Sequence, residues 1–593
     1  MTLSPETRAL LGDGRTPIAG LMKALAAAEV ELAAAPEVVI GLSANVTIDL
    51  LGLFLRREAA LAGLRARIVV GNYDDPIGDV ERFAAAGVQR VVLLPFLDNV
   101  QPAFEAQAAT RSLEERDALE DELRSRYRLA LAAGRRFTSI HVGLYHRFGE
   151  SSLPDGQDAV ADTVEQLNTM LRAEAAPHAN VQLIDVGRSV TAVGREAAFD
   201  RRFYYRAKAP YAAALLSDLA RRLAAGTRGF GTRFLKALVL DCDNTLWGGV
   251  IGEDLIDGIR LDPFDYPGAV FWRVQQAIAA LERQGVLLCL CTKNNPADVA
   301  DVMARHPHMV LREEQIVARR VNWADKVSNL VALGEELNIG LDSMVFLDDS
   351  AVEVEAVRAR LPQVTVYQVP AQLTDYPAVL DEIARLFLGA GARAESQSKT
   401  EQYRLRAAAS EAKASFATHE EYLASLGLEA ALHRNRPSEA PRIAELSQKS
   451  NQFNLTTRRY TQGEVEQLMA APDADIFSIT VRNRFGEAGL TGVIAVRYEG
   501  DRAVIENFLM SCRVLGQGVE FAIWSRLADH LAERGVAAIE ADYHPTAKNA
   551  QVADFYDRLG LGRADDSGAG TRYSHPVAGL TPPASSWVKV TDA

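Results

Sequence analysis

The sequence predicts a multidomain α/β protein. Its 593 residues exceed what a single hydrophobic core usually organises. Short apolar runs bounded by polar turn residues recur along the chain and alternate with helical patterns, as parallel strands buried on both faces do. One of these runs, Ala237 to Leu240, delivers Asp241 and Asp243, two carboxylates spaced by one residue, with Thr245 behind them. Acids so placed sit at the carboxyl edge of a strand, where open α/β sheets hold their ligands. They repel each other unless a cation lies between them.

In chain order, residues 1–225 read as a first α/β region. Glu37 to Leu42, Ala66 to Val70, Val88 to Pro95, Phe137 to Val142 and Val181 to Val186 have strand character. Phe104 to Ala133 is charged and periodic, and predicts a long surface helix. A second unit, 226–395, carries the Asp241 strand and two further buried strands, Gly285 to Cys291 and Ser343 to Leu347. Residues 396–420 are polar with a helical pattern and suit a connector. A third unit, 421–575, runs through strands Ile476 to Val481, Gly492 to Tyr498 and Ala503 to Cys512 into a glycine-rich loop, Arg513 to Glu520. Helix Val519 to Arg534, strand Ala537 to Tyr543 and a helix over Asn549 to Leu561 follow. Residues 576–593, with Pro582 and Pro583, predict a mobile tail.

Composition narrows the function classes. Apolar content of 48% and charged content of 24% are ordinary for a soluble globular protein. The net charge of −14, with no basic run, argues against nucleic acid as the main partner. No apolar run reaches membrane-spanning length. The N-terminal MTLSPETRALLGDGR lacks a basic region followed by an apolar core, so no secretory signal is expected and the cytoplasm is the expected location. Cys242, Cys289, Cys291 and Cys512 have neither zinc-like spacing nor the density of a disulfide framework.

Four motifs fall in order across the second unit. DCDNT opens at Asp241, CTKNN contains Thr292, NWADK ends at Lys326, and FLDDS contains Asp348 and Asp349. The ordered set resembles the haloacid dehalogenase (HAD) phosphotransferases. That resemblance implies Asp241 as the nucleophile that forms an aspartyl-phosphate. It implies Asp243 as the acid that protonates the leaving oxygen and the base that later activates water. Thr292 and Lys326 would hold the phosphoryl oxygens, with Thr245, Lys293 and Asn294 as further substrate contacts. Asp241, Asp348, Asp349 and the backbone carbonyl of Asp243 would hold Mg²⁺, a hard cation that takes oxygen ligands. The stretch from Thr292 to Lys326 is too short for a large cap, and Gly248 to Pro263 allows only a small hairpin. The expectation is a HAD-type Rossmannoid domain with a minimal cap, open to a bulky or protein-tethered substrate.

The third unit resembles the GNAT acyltransferase fold, an α+β domain. Arg513, Gly516 and Gly518 match its R/Q-x-x-G-x-G/A loop, and Asn549 and Tyr556 match a later element. Glycines before a helix let backbone N–H groups approach a phosphate. Cys512 ends the strand before that loop, and His544 ends the next strand. A thiol close to a helix N-terminus and an imidazole can act as a thiolate nucleophile. Taken alone, the pair also reads as a small buried apolar residue and an exposed histidine.

DCDNTLWGGVIGEDL, CTKNN, NWADK, FLDDS, LSQKSNQFNLTTRRYT and FLMSCRVLGQGVE together resemble the FkbH-like family, HAD-type enzymes of class IIIC fused to a GNAT-like domain. The resemblance implies glyceryl transfer. The phosphoglyceryl group of 1,3-bisphosphoglycerate is loaded onto an enzyme cysteine, dephosphorylated, and passed to the phosphopantetheine arm of a separate acyl carrier protein for polyketide or related secondary metabolism. Cys512 is the cysteine positioned for that role, with His544 as its base; Asn451 and Asn454, in the polar run Ser447 to Thr457, are candidates to line the cleft and contact substrate, and capping and turn roles suit that run equally. The chain departs from the family at Leu255, where glycine is usual, and at Asn483, where aspartate is usual. A plain phosphatase on another substrate, and a CoA-dependent N-acyltransferase with a structural HAD unit, are the competing readings. The first region resembles a degenerate SGNH-hydrolase or flavodoxin-like fold. Ser43 stands at its nucleophile position, but Asp200 is followed by Arg201, Arg202 and Phe203 instead of the expected histidine-bearing motif. That domain is expected to be non-catalytic.

Overall fold

Strands buried on both faces must be covered by helices on both sides, and that requirement shapes the first two sheets. The structure, a computed structural model, describes residues 3–14, 16–107, 110–149, 159–178, 180–224, 235–387, 418–450, 452–484, 486–511, 514–546, 549–566, 570–579, 583 and 585–592. The chain divides into two compact units, Met1–Thr232 with Thr461–Glu464, and Arg233–Tyr460 with Val465–Ala593.

The first sheet contains β1 (Glu37–Ala44), β2 (Arg65–Val70), β3 (Arg90–Leu94), β4 (Ser139–Gly143) and β5 (Val181–Ile184). Every neighbour is parallel and the order is β2-β1-β3-β4-β5. This is the doubly wound, flavodoxin-like order, in which the chain reverses direction between β1 and β3. The long helix expected from Phe104 begins as a short turn, Phe104–Gln107, and resumes as Leu113–Ala133. Ser112 restarts it through a capping box with Glu115.

The second sheet contains β6 (Ala237–Leu240), β7 (Leu287–Thr292), β8 (Ile316–Val321), β9 (Met344–Asp348) and β10 (Thr365–Gln368), all parallel, in the order β10-β9-β6-β7-β8. β6 is central, and the order reverses around it. Alternate residues feed two separate apolar clusters: Leu238 and Leu240 face one side, Ala237 and Val239 the other. Cys289 and Cys291 fill the second cluster, and burial pushes both thiols up to about 12. β8 and β10 escaped the sequence reading because their charged and polar residues mask the apolar alternation.

No domain is inserted between Thr292 and Lys326: that stretch forms helix Pro296–Arg305 and β8 of the sheet itself. The hairpin expected between Gly248 and Pro263 is instead a helical flap. Gly248 and Arg260 pair as an isolated antiparallel bridge and enclose helix Ile251–Gly258. Leu255 kinks that helix at φ 56° and ψ 176°, backbone that glycine adopts without strain and a leucine does not. This is the position at which the family resemblance expects glycine.

The third sheet contains β11 (Leu428–Arg434), β12 (Phe453–Asn454), β13 (Ala474–Asn483), β14 (Gly486–Glu499), β15 (Arg502–Met510), β16 (Ala538–Tyr543), β17 (Gly562–Asp566), β18 (Thr571–Pro576) and β19 (Val588–Asp592). The path is β17-β18-β16-β15-β14-β13-β11-β19, with β12 pairing β15 beside it. β15 and β16 run parallel but pair only from Arg502↔Ala538 to Ile505↔Ala541, and then part. Instead of a mobile tail, 588–592 is a strand that joins the sheet edge parallel to β11. The connector expected at 396–420 lies almost wholly outside the described residues. The helix expected over Asn549 to Leu561 breaks into a short turn, Ala550–Val552, and helix Phe555–Arg558.

The strained flap residue gives a stability test. Leu255→Gly is expected to raise the urea midpoint, equivalent to about 1 kcal/mol, because the relieved strain exceeds the added unfolded-state entropy. An unchanged or lower midpoint counts against strain at this position.

Candidate active site

The carboxyl ends of β6, β7 and β9 meet at the point where the second sheet reverses. Asp241 follows β6, Thr292 ends β7 and Asp348 ends β9. All three are buried. The fourth side of the site comes from helix Lys326–Leu337, whose N-cap Asp325 accepts from the N–H groups of Val327 and Ser328. That cap points Lys326, the first helical residue, into the site. An ammonium at a helix N-terminus opposes the helix dipole. Two carboxylates outweigh that opposition. Lys326 Nζ donates to Asp241 Oδ1 at 2.8 Å and to Asp348 Oδ2 at 2.5 Å. Burial acts to lower the Lys326 pKa, but the charges of Asp241 and Asp348 reverse the effect and raise it above the ordinary lysine value. Burial, followed by the Asp241 charge, pushes Asp348 up to about 6.

Asp243 is held separately. Its Oδ1 accepts from Trp247 Nε1 at 2.9 Å and from the Ile251 N–H at 3.2 Å, while Oδ2 accepts from Asn294 Nδ2 at 3.1 Å. Burial raises its pKa despite these donors, with the Asp241 charge adding to the rise. A carboxylic acid with a raised pKa is suited to giving and taking a proton. The bond from Ile251 ties the flap to Asp243.

Ligand atoms of Asp241, Asp348 and Asp349 all lie within 4.8 Å of one another. Asp349 is half-buried, and burial followed by the Asp241 charge raises its pKa. Three carboxylate oxygens at this spacing are the donor set that Mg²⁺ takes, and the crowding of like charges favours a divalent cation among them. The residues present fit the metal. The Asp243 side chain is not in this group, which leaves its backbone carbonyl as the expected contribution.

The other expected contacts divide. Asn294 Nδ2 also donates to Thr292 Oγ1 at 3.0 Å, so Asn294 links Asp243 to Thr292. Lys293 is drawn away: its Nζ lies 2.6 Å from Glu353 Oε1 on helix Ala351–Arg360. Thr245 is fully buried and its Oγ1 has no hydrogen-bond partner, while its carbonyl accepts from Tyr376 Oη at 3.0 Å. The Thr245 side chain thus lies buried in the turn that follows Asp243. Sequence reasoning missed Trp247 and Tyr376. The first had a signal, since it lies within DCDNTLW; the second had none.

In the third sheet, Cys512 and Arg513, together with Asn451, lie outside the described residues. Segment 453–456 fills the gap where β15 and β16 part. Phe453 and Asn454 pair with Met510 and Leu509, Leu455 donates to the Phe508 carbonyl, and the His544 N–H donates to the Leu455 carbonyl at 2.8 Å. The His544 ring is exposed, with Nδ1 3.3 Å from the Thr456 carbonyl. Asn454 and Asn549 are buried in the same seam, where Asn549 Nδ2 donates to the carbonyls of Asn454 and His544. Asn549 Oδ1 accepts from the Thr546 N–H at 2.7 Å. The Asn549 amide thus ties the seam together, while Asn454 Nδ2 donates to the Ser450 carbonyl at 3.3 Å and its Oδ1 has no hydrogen-bond partner. Tyr556 is likewise packed in the apolar core.

The glycine loop is answered from within the chain. Gly516 and Gly518 have φ of 75° and 82°, and Gly518 caps helix Val519–Glu533. The buried Glu520 carboxyl lies against the backbone N–H groups of Glu520, Gly516 and Gly518, and burial raises its pKa. Trp587, just before β19, donates from Nε1 to the Gln517 carbonyl at 2.8 Å, and a Cβ added to Gly518 would stand 3.0 Å from that nitrogen. The N–H groups expected to receive a phosphate thus face a carboxyl, and an indole packs on the loop.

In the first sheet, Ser43 Oγ donates to Asp79 Oδ2 at 2.5 Å. Asp79 is fully buried and also accepts from the Asn72 N–H and Arg82. No hydrogen bond among the described residues joins Ser43 to a histidine. Asp200 caps helix Arg201–Ala207 by accepting from the N–H groups of Arg202 and Phe203. The elements of an activated serine are not assembled there.

No protein-family model matches the chain. No curated protein matches it. Among solved structures it is similar to the N-terminal part of the protein BF1531 from Bacteroides fragilis, which contains a phosphatase domain and is complexed with Mg. The two share 23% identity over 62% of this chain and 97% of that chain, with a TM-score of 0.53. Similarity also extends to the ribosomal-protein-S18-alanine N-acetyltransferase from Escherichia coli, at 14% identity over 26% of this chain and 98% of that one, TM-score 0.21. The PaiA N-acetyltransferase from Thermoplasma acidophilum, in complex with coenzyme A, is 12% identical over 20% of this chain and 72% of that one, TM-score 0.17. The first of these likenesses shows a shared fold, and the chain is a multidomain mixed α/β protein.

Proposed function

We propose that the chain is a magnesium-dependent HAD-type phosphatase joined to an acyl-transfer domain of the FkbH-like kind. The observation that carries this reading is the buried Lys326 ammonium shared between Asp241 and Asp348, beside Asp349 and a separately held Asp243. Bound among Asp241, Asp348 and Asp349, Mg²⁺ would neutralise the negative charge that phosphoryl transfer gathers. Asp241 attacks phosphorus and the ester alcohol leaves, taking a proton from Asp243. Water then attacks the aspartyl-phosphate as Asp243 takes its proton, and phosphate departs with Asp241 restored. Lys326 and Thr292 hold the phosphoryl oxygens in place.

The acyl half rests on the sequence resemblance. The Cys512 thiolate attacks the acyl carbon of 1,3-bisphosphoglycerate, the bond to the acyl phosphate breaks, and phosphate leaves with the electron pair. The resulting phosphoglyceryl thioester is dephosphorylated at Asp241, and a carrier-protein thiol then takes the glyceryl group and restores Cys512. His544 serves as the base in this scheme. The partner is a separate acyl carrier protein, and the setting is cytoplasmic secondary metabolism. The first domain, SGNH-like in this reading, is non-catalytic. No helix among the described residues is long and apolar enough to cross a membrane.

Intact-mass spectrometry after incubation with 1,3-bisphosphoglycerate and Mg²⁺ tests the scheme. Wild-type protein is expected to gain a glyceryl adduct, Asp241→Asn to retain the phosphoglyceryl adduct, and Cys512→Ala to gain neither. An adduct that survives Cys512→Ala sinks the relay while leaving the phosphatase standing. Magnesium binding has its own readout. At one hundred times its Kd, Mg²⁺ is expected to add about 2.7 kcal/mol of stability, and Asp348→Asn is expected to lose that response. The cation needs the ionised carboxylate, and Asp348 is raised to about 6. Magnesium affinity should therefore be level above that pH and weaken as pH falls through it, by about tenfold per unit. A level profile down to pH 4 contradicts the assignment.

A further inference from the structure

Beside the carboxylate group lies a cleft of about 570 Å³. Asp349, one of the three clustered carboxylates, and Asn244 line it, so the cleft adjoins that cluster. Tyr266, Phe271 and Pro370 contribute apolar wall, and the remaining lining is largely glycine, proline and aliphatic. Arg260 is its lone cationic lining residue. The Arg260 backbone is fixed by its two bonds to Gly248, but its side chain is exposed and has no hydrogen bond or ion pair among the described residues.

The cleft is also a built surface. Asn244 Oδ1 accepts from the Gly249 N–H at 3.0 Å, and Gln368 Nε2 donates to the Asp349 carbonyl at 3.1 Å, so both rims are held by side chains. An exposed guanidinium without a partner, on a fixed backbone and in a cleft that also reaches Asp349, is available to pair with an anion.

We infer that this cleft receives the alcohol portion of the phosphate ester, and that Arg260 selects alcohols bearing an anion joined through an apolar or uncharged spacer. The inference rests on the phosphatase reading and deepens it. Two sources offer that chemistry: a free carboxylate on the phosphorylated acid itself, and the phosphate at the far end of a pantetheine arm to which the acid is thioesterified.

Titration calorimetry with Asp241→Asn protein in magnesium buffer separates them. One pair of ligands is 3-phosphoglycerate and its methyl ester; the other is S-(3-phosphoglyceryl)-pantetheine 4′-phosphate and its dephosphorylated form. At least one pair is expected to show an anion preference of about tenfold. The preference should fall to near unity when Arg260→Ala is added and persist in part with Arg260→Lys. A preference in the first pair alone identifies the free acid, and in the second pair alone the arm. Equal Kd values within both pairs, or a preference unmoved by Arg260→Ala, overturn the inference. Phosphate release by wild-type protein is measured in parallel. Its absence on every ligand overturns the phosphatase reading, while the Kd ratios still decide the role of Arg260.

Discussion

The Lys326 ammonium, buried between Asp241 and Asp348, is the constraint around which the second sheet is organised. Removing charged groups from water costs several kcal/mol each, by about the amount a well-placed counter-charge returns. The ammonium therefore stays buried only because two strand ends and one helix start converge on it. Asp241 and Asp348 lie on adjacent strands, and the Asp325 cap aims Lys326 at both. Lys326 pairs with two of the carboxylates gathered there, Asp241 and Asp348, while Asp349 stands beside them, and the resulting excess of negative charge is what a divalent ion relieves.

Asp243 is set apart from this cluster by its own hydrogen bonds. Asp243 turns towards Trp247, Ile251 and Asn294 and away from Lys326. Two carboxylates one residue apart thus meet different surroundings, one paired with an ammonium and one capped by neutral donors. In the proposed reaction these separate surroundings suit one to act as nucleophile and the other to exchange a proton. The flap connects the two ends of this arrangement. It delivers the Ile251 N–H to Asp243 and the Arg260 side chain to the adjoining cleft.

In the other two sheets, motif-bearing residues are engaged by their own chain. Ser43 gives its hydroxyl to Asp79, and Asn549 spends its amide on carbonyls of the seam between β15 and β16. The glycine loop faces Glu520 and carries Trp587. The common cause is burial. A polar group withdrawn from water must find a partner, and in these places the nearest one is internal.

The amino-acid sequence by itself determined the α/β class and the strands that end in Asp241, Thr292 and Asp348, because short apolar runs ending in polar residues survive as a local pattern. It also marked Leu255 as out of place, and the positive φ there supplies the reason. Strands β8, β10 and β19 were not legible, since their stability comes from neighbours and not from their own alternation. Only tertiary structure decided that Thr245 and Tyr556 are buried, that Lys293 pairs with Glu353, and that Arg260 faces the cleft unpaired. Each of these depends on which distant segment packs against the residue, and side-chain partnership across long sequence separations leaves no periodic trace in the chain.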